Sequence, residues 1–299
     1  MRIASLLPSA TEIVCALGLG ESLVAVTHEC DYPESVRTKP VVTRSVLDGN
    51  GSSGQIDRHI RELVHQGSSI YTLDADRLAT LNPDVILTQE LCEVCAVSYP
   101  VVEQAARRSS TPMQLVSLEP QQLADVFEHV RLVGRLADRQ AEAELVVAAL
   151  EDRIRQVRER VRNQPVRSVV LLEWIDPPFN AGHWTPGLVQ MAGGRDLLGI
   201  PRRPAHPIEW KAVIESRPEV LVVSACGLSL ERSLTEAETA LSRFGAVADQ
   251  TWVVDGNAYF SRPGPRLVDS VEILAGILHP AVMDPPPATV ARRLASSAR

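Results

Sequence analysis

The stretch "PQQLADVFEHVRLVGRLADRQAEAELVVAALEDRIRQVRERVR", residues 120–162, decides how the rest of the chain divides. Elsewhere short apolar runs alternate with amphipathic segments, whereas here helical periodicity continues with no strand between. Leu123, Val126, Phe127, Val130 and Val133 mark one apolar face, and Val146, Leu150, Ile154, Val157 and Val161 mark a second. Asp138 stands between the two sets as the expected N-cap of the second helix. Roughly 25 residues at 1.5 Å each would span about 37 Å, enough to cross a whole lobe, so the segment reads as a rigid strut between two domains.

Working outward, the N-terminal "IASLL" reads as a buried strand and "PSATE" as a helix start, with Ser9 and Glu12 as a capping box and Gly18 as the stop. "LVAVT", "DVILT" and "MQLVSL" are further strands, spaced by amphipathic helices. Beyond the strut the alternation resumes with "SVVLLEW", "EVLVVSA" and "TWVVD". One phrase occurs in both halves: "LATLNPDVILTQELC" and "VIESRPEVLVVSACG" share a helix, a proline, an acid, an apolar strand and a cysteine loop. Proline ends each helix because it lacks an N–H and clashes with the preceding turn, and the apolar run that follows suits a strand buried on both faces.

The expected fold class is therefore α/β: two Rossmann-like lobes with mainly parallel sheets, joined by one long bridging helix. The expected bounds are 1–118 for the first lobe, 119–163 for the helical linker, 164–280 for the second lobe and 281–299 for a flexible tail. "HPAVMDPPPATVARRLASSAR" is proline-rich and then small and polar, a composition that favours loose order.

Composition narrows the classes. A chain of 299 residues with 45% hydrophobic content can bury two cores. A net charge of -7 and a pI near 5.6 argue against a nucleic-acid partner. The absence of an uninterrupted apolar run of about 18 residues argues against a membrane-embedded protein. "MRIASLLPSATEIVCALGLG" is basic then apolar like a leader, but Pro8, Ser9, Thr11 and Glu12 interrupt it, so it reads as folded chain. As written the protein is expected in the cytoplasm, or outside it if a leader was trimmed. Five cysteines, an odd number in a large chain, favour reduced thiols over a disulfide framework.

In open α/β sheets ligands bind outside the carboxyl ends of the strands, where helix N-termini present free N–H groups. That rule selects "PSATE", "HECDYP", "QELCEVC", "EWIDPPFNAGHW", "SACG" and "GNAYFSRPGPR". Although aromatics are only 4% of the chain, Tyr32, Trp174, Phe179, Trp184, Tyr259 and Phe260 all fall in these loops, which suits a large, flat, partly apolar ligand. His28 and His183 read either as imidazole donors to a ligand metal or as ordinary backbone-bonded loop histidines. Glu29, Glu90, Glu93 and Glu173 read as hydrogen-bond acceptors for a ligand or as solvated acids, and Trp174 as a stacking surface or as core.

The loop "TQELCEVCAVSYP", residues 88–100, stays open among several chemistries. Cys92 and Cys95 supply half of a tetrahedral zinc site that His28 and Cys30 would complete. A redox pair at a helix N-terminus, two small buried thiols, or a direct ligand contact by Cys92 are the other readings. No Ser-His-Asp or paired-carboxylate arrangement can be assembled, so no enzyme is expected.

Taken in order, "LLPSATEIVCALGLGESLVAVTHECDYP", "LNPDVIL", the long helix, "DPPFNAGHW", "PIEWKAVIESRPEVLVV" and "GNAYFSRPGPRLV" resemble the cobalamin-type substrate-binding proteins of ABC importers, over about residues 1–280. The resemblance implies two lobes on one helix and cobalamin or a related corrinoid held between them with little hinge motion. It also implies an ABC permease as partner, docked through acidic surface residues, or a cytosolic carrier role if no permease exists. Family contacts carry over to Pro8, Ser9 and the loop with His28, Glu29 and Tyr32, and to Phe179, Tyr259, Phe260 and Arg262, the last toward ligand amides or phosphate. Glu90, Cys92, Trp174, His183 and Trp184 join this set from the loop reading. The alternatives are a zinc-binding or redox protein on the same scaffold, or a binder of haem or an iron siderophore.

Overall fold

The first apolar run folds as β1 (Ile3–Ser5) and turns directly into α1 (Pro8–Ala16). These elements belong to a computed structural model that describes residues 1–47, 51–66, 68–90, 97–108, 112–244 and 246–295. The helix starts at Pro8, not at a Ser9 cap: Leu7 is the N-cap, no side chain caps the end, and Ser9 is buried inside the first turn. Proline suits the first helical position because its φ is preset and its missing N–H would have been unpaired there anyway. Gly18, at φ +72°, closes the helix as expected.

The chain then runs through β2 (Leu23–Ala25), β3 (Thr43–Ser45), α2 (Ser53–His65), β4 (Tyr71–Leu73), α3 (Ala75–Leu81), β5 (Val85–Thr88), α4 (Tyr99–Arg108), β6 (Gln114–Ser117) and α5 (Leu123–Leu136). Strands β2, β1, β5 and β6 lie in that order in one parallel sheet, with Ile3 opposite Val85 and Leu87 opposite Val116. The order reverses direction between β1 and β5, so the loops leaving those two strands diverge and open a crevice at their carboxyl ends. Ala4, Leu6, Ile86, Leu78 and Val102 fill the core behind it. A separate antiparallel pair, β3 and β4, brings Ser45 opposite Tyr71.

The strut is α6 (Gln140–Val161), 22 residues and so about 33 Å long. Its buried residues are Ala143, Val147, Leu150, Ile154, Val157 and Val161, alternating four and three apart, so the inward stripe carries Val147 where Val146 was expected. Asp138 is not a cap: it takes a left-handed conformation, φ +54°, in the turn between the helices, where the Arg139 N–H donates to the Gly134 carbonyl. The chain divides into two units inside this helix, after Val147. One comprises Met1–Gly51, Gln55–Glu119 and Asp125–Val147, the other Ser52–Gly54, Pro120–Ala124 and Ala148–Arg299. Helix α5 thus belongs largely with the first unit.

The second unit continues with β7 (Arg167–Trp174), β8 (Phe179–Asn180), α7 (Thr185–Met191), β9 (Gly194–Asp196), α8 (Trp210–Ser216), β10 (Val220–Val223), α9 (Leu230–Leu241), β11 (Gln250–Val254), α10 (Gly256–Tyr259), α11 (Leu267–Leu278) and β12 (Ala291–Arg293). Its sheet has the order β12–β11–β10–β7–β8, with β9 along the start of β7. Strands β11, β10, β7 and β9 are parallel, and β8 and β12 are antiparallel edges. The segment expected to be a flexible tail is instead built in through residue 295: Trp252 pairs with Arg293 and Val254 with Ala291 on the edge of the sheet. An unpaired parallel edge offers a full row of N–H and C=O groups, and that gain outweighs the polar composition of the segment.

Candidate functional site

In the first unit the site grows from the turn after β2. The Thr27 hydroxyl accepts the Glu29 N–H at 3.1 Å, and the Cys30 N–H donates to the Thr27 carbonyl at 3.2 Å, so residues 27–30 form a closed turn. A buried polar chain ties this turn to α1. Cys30 Sγ lies 3.1 Å from Thr11 Oγ1, which donates to Ser5 Oγ, which in turn donates to the Leu7 carbonyl.

The turn presents His28. Its backbone N–H donates to Thr43 Oγ1 at 3.1 Å, and its Nδ1 lies 2.8 Å from the same oxygen. Burial pushes the His28 pKa down, outweighing the opposing pull of Glu29, so the ring is held neutral. With Nδ1 engaged by Thr43, Nε2 is the nitrogen left for a ligand. Beside it the Tyr71 hydroxyl donates to Glu29 Oε1 at 3.0 Å, and the Tyr71 and His28 rings lie 5.4 Å apart at 52°. Pro8, Thr27, His28, Glu29, Thr43 and Tyr71 line a small recess. Such a recess combines a neutral imidazole, a carboxylate acceptor and an apolar rim of Leu6, Pro8 and Val97.

Of the other residues expected in this unit, Ser9 is enclosed in α1, Tyr32 stands 49% exposed, and Glu90 is exposed with its N–H donating to Glu119 Oε1. Cys92, Glu93 and Cys95 lie outside the described residues. Cys30 is 6% exposed, with its sulfur among the Thr11 and Thr27 hydroxyls, and the zinc set expected of His28, Cys30, Cys92 and Cys95 has two members outside the described residues. Among the described residues no three His, Cys, Asp or Glu groups could hold a metal ion together.

In the second unit the site is the loop from β8 into α7, and it is organised by Glu173 at the end of β7. Glu173 Oε1 accepts the Gly182 N–H at 2.9 Å, and the Thr185 side chain also bonds to it. Burial pushes this carboxyl up to about 7, against those two hydrogen bonds, and Asp196 adds repulsion. Burial likewise pushes Asp196 up to about 6, although it accepts the Leu198 and Gly199 N–H groups. The loop has no slack: a Cβ on Gly182 would sit 2.3 Å from the Ala205 nitrogen, and Asn180 bridges the Leu198 carbonyl and the His206 N–H.

This loop displays His183 and Trp184, whose rings stack 5.5 Å apart at 23°. His183 is kept neutral by burial, and its Nε2 and the Trp174 Nε1 are buried with no hydrogen-bond partner among the described residues. Trp184 Nε1 donates to the Phe260 carbonyl at 2.9 Å. Phe179 lies on β8, half-buried. Phe260 is 2% exposed and belongs to the core, and Arg262 is 6% exposed with its guanidinium 3.4 Å from Asn257 Oδ1. Both expected contacts are therefore interior residues here. Tyr259 lines a different recess, described below. Sequence reasoning missed Thr43 and Tyr71 as site residues and undervalued Glu173 as a loop anchor.

These features, two α/β units with polar and aromatic loops at the carboxyl ends of parallel strands, are those of a scaffold that presents a small-molecule site. Residues 3–249 match the family model described as "Periplasmic binding protein", and the chain belongs to that family. A vitamin B12-binding protein of Vibrio cholerae is 23% identical over 282 residues, covering 91% of this chain and 86% of that protein. An uncharacterised ABC transporter substrate-binding lipoprotein of Bacillus subtilis is 22% identical over 288 residues, covering 93% and 80%. Among solved structures, a periplasmic haem-binding protein from Pseudomonas aeruginosa matches with a TM-score of 0.72 at 19% identity, covering 100% of this chain and 99% of that one. No helix among the described residues is long and apolar enough to cross a membrane.

Proposed function

We propose that the protein captures a metal-bearing tetrapyrrole-type ring, a corrinoid such as cobalamin in the first instance, as the substrate-binding component of an ABC importer. Such a role places it outside the cytoplasm and gives it a permease as partner, docked through the acidic surface. The observation that carries the ligand class is the neutral His28 imidazole, fixed through Nδ1 by Thr43 and flanked by the Tyr71–Glu29 pair. Imidazole nitrogen is a good donor to cobalt and iron. The name of the Vibrio cholerae relative supports a corrinoid; Tyr71, a second group able to bind iron, beside His28 supports haem as the second reading.

The test is titration of the full chain with hydroxocobalamin, cyanocobalamin and haemin, followed by visible absorbance and heat. Both cobalamins are expected to bind, with a band shift for hydroxocobalamin, whose axial water exchanges, that disappears in His28→Ala. Binding of haemin without either cobalamin would replace the corrinoid by haem. Binding of none of the three would end the proposal.

A further inference from the structure

We infer that the second unit carries an additional small-molecule site, separate from the His28 recess, that takes an apolar zwitterion such as a free amino acid with an apolar side chain. The site is a recess of about 480 Å³, inside the range of small-ligand pockets, and all of its lining residues belong to the second unit.

Its three walls are fixed. Arg153, Gln156, Val157 and Arg160 stand three, four and seven positions along one face of α6, and Asp269, Glu272 and Ile273 stand three and four positions along one face of α11. The third wall is the C-terminal segment 283–287, with its three consecutive prolines. Gly276 makes that wall possible, since a Cβ there would lie 2.3 Å from the Asp284 carbonyl oxygen and 3.1 Å from Pro286 Cδ. The segment is pinned before and after: the Met283 N–H donates to the His279 carbonyl, the Asp255 N–H to the Val290 carbonyl, and β12 follows directly. A pocket held this way is ordered before any ligand arrives, which lowers the cost of binding.

The charges select the ligand. Arg153 is consumed within its own walls: Nε donates to Glu272 Oε1 at 2.9 Å, and the same guanidinium reaches Asp269. Two charged groups remain without an ion pair among the described residues, Arg160 on the α6 wall and Asp284 on the C-terminal wall, both exposed at the rim. Val157, Ile273, Tyr259 and Met283 line the same recess. One cation and one anion on different walls of a recess that apolar side chains also line match a carboxylate and an ammonium on one apolar body. A simple amine or a simple carboxylic acid would satisfy one rim charge and leave its own charge facing the other.

The experiment is calorimetric titration of the full chain with phenylalanine, phenethylamine and 3-phenylpropionate, three probes with the same apolar body. Phenylalanine is expected to bind at least tenfold more tightly than the other two, and Arg160→Gln and Asp284→Asn are each expected to weaken it about tenfold. His28→Ala, which removes the proposed ring ligand, is expected to leave phenylalanine binding intact, so this site and the tetrapyrrole reading fail or survive separately. Equal binding of the amine or the acid, no heat with phenylalanine at millimolar concentration, or indifference to both rim substitutions would overturn the inference.

Discussion

Replacing Glu173 by glutamine should flatten the pH dependence of the second unit's stability. The folded protein holds this carboxyl at about 7, against an ordinary value of 4.5, because ionising it would place a charge in the interior beside Asp196. Between those two values the folded chain binds the proton and the unfolded chain does not, so the stabilisation is fully present below pH 4.5 and is lost as pH rises through 7. At 1.36 kcal/mol for each pH unit between the two values, the loss is on the order of 3 kcal/mol. Glutamine is neutral throughout and keeps an oxygen for the Gly182 N–H, so the variant should gain about that much on the parent between pH 4.5 and 7.5. Urea unfolding followed by tryptophan fluorescence is the assay. Trp174, Trp184, Trp210 and Trp252 are the four tryptophans of the chain and all lie in the second unit, so the signal reports on that unit. A difference between variant and parent that stays constant across this pH window would refute the argument, because a plain packing defect does not titrate.

Three further outcomes follow from the geometry. Thr43→Val removes the partner of His28 Nδ1 and strands a backbone N–H; it should cost about 1–3 kcal/mol in urea unfolding and weaken ring-ligand affinity in the same titrations that test His28. Gly182→Ala forces a methyl group to within 2.3 Å of the Ala205 nitrogen and should destabilise the second unit by about 1–3 kcal/mol, read as a lower thermal midpoint. Along α6, Val147→Ala should cost about 1–3 kcal/mol, whereas Leu145→Ala, at a position 72% exposed, should stay within about 0.5 kcal/mol in the same melt, and equal effects would show that the helix presents a different face.

What could be read from the sequence was what depends on neighbours along the chain. The helix–proline–acid–strand phrase is legible because the proline and the apolar run act locally, and it placed β5 and β10 correctly. The strut was legible as a helix, but not its register: Val146 and Val147 are adjacent and equally apolar, and only the surrounding packing selects Val147. The Ser9 cap was misread because a serine followed by an acid three positions on is a good start signal, and a proline immediately before it is a better one. Failures grow with sequence separation. Thr43 and Tyr71 sit on two strands of three residues each, too short for any period to show, yet that pair brings both to His28. The C-terminal segment has the composition of a loose tail, and it is ordered by a glycine in α11 and an open sheet edge, neither of which leaves a mark in the segment itself. Glu173 looks like any acid ending a strand until β9 brings Asp196 beside it and α7 brings Thr185 onto it. A ligand site in such a fold is by construction a meeting of strand ends far apart in the chain, so it is where local signals carry least and where an anchoring residue is most easily taken for a solvated one.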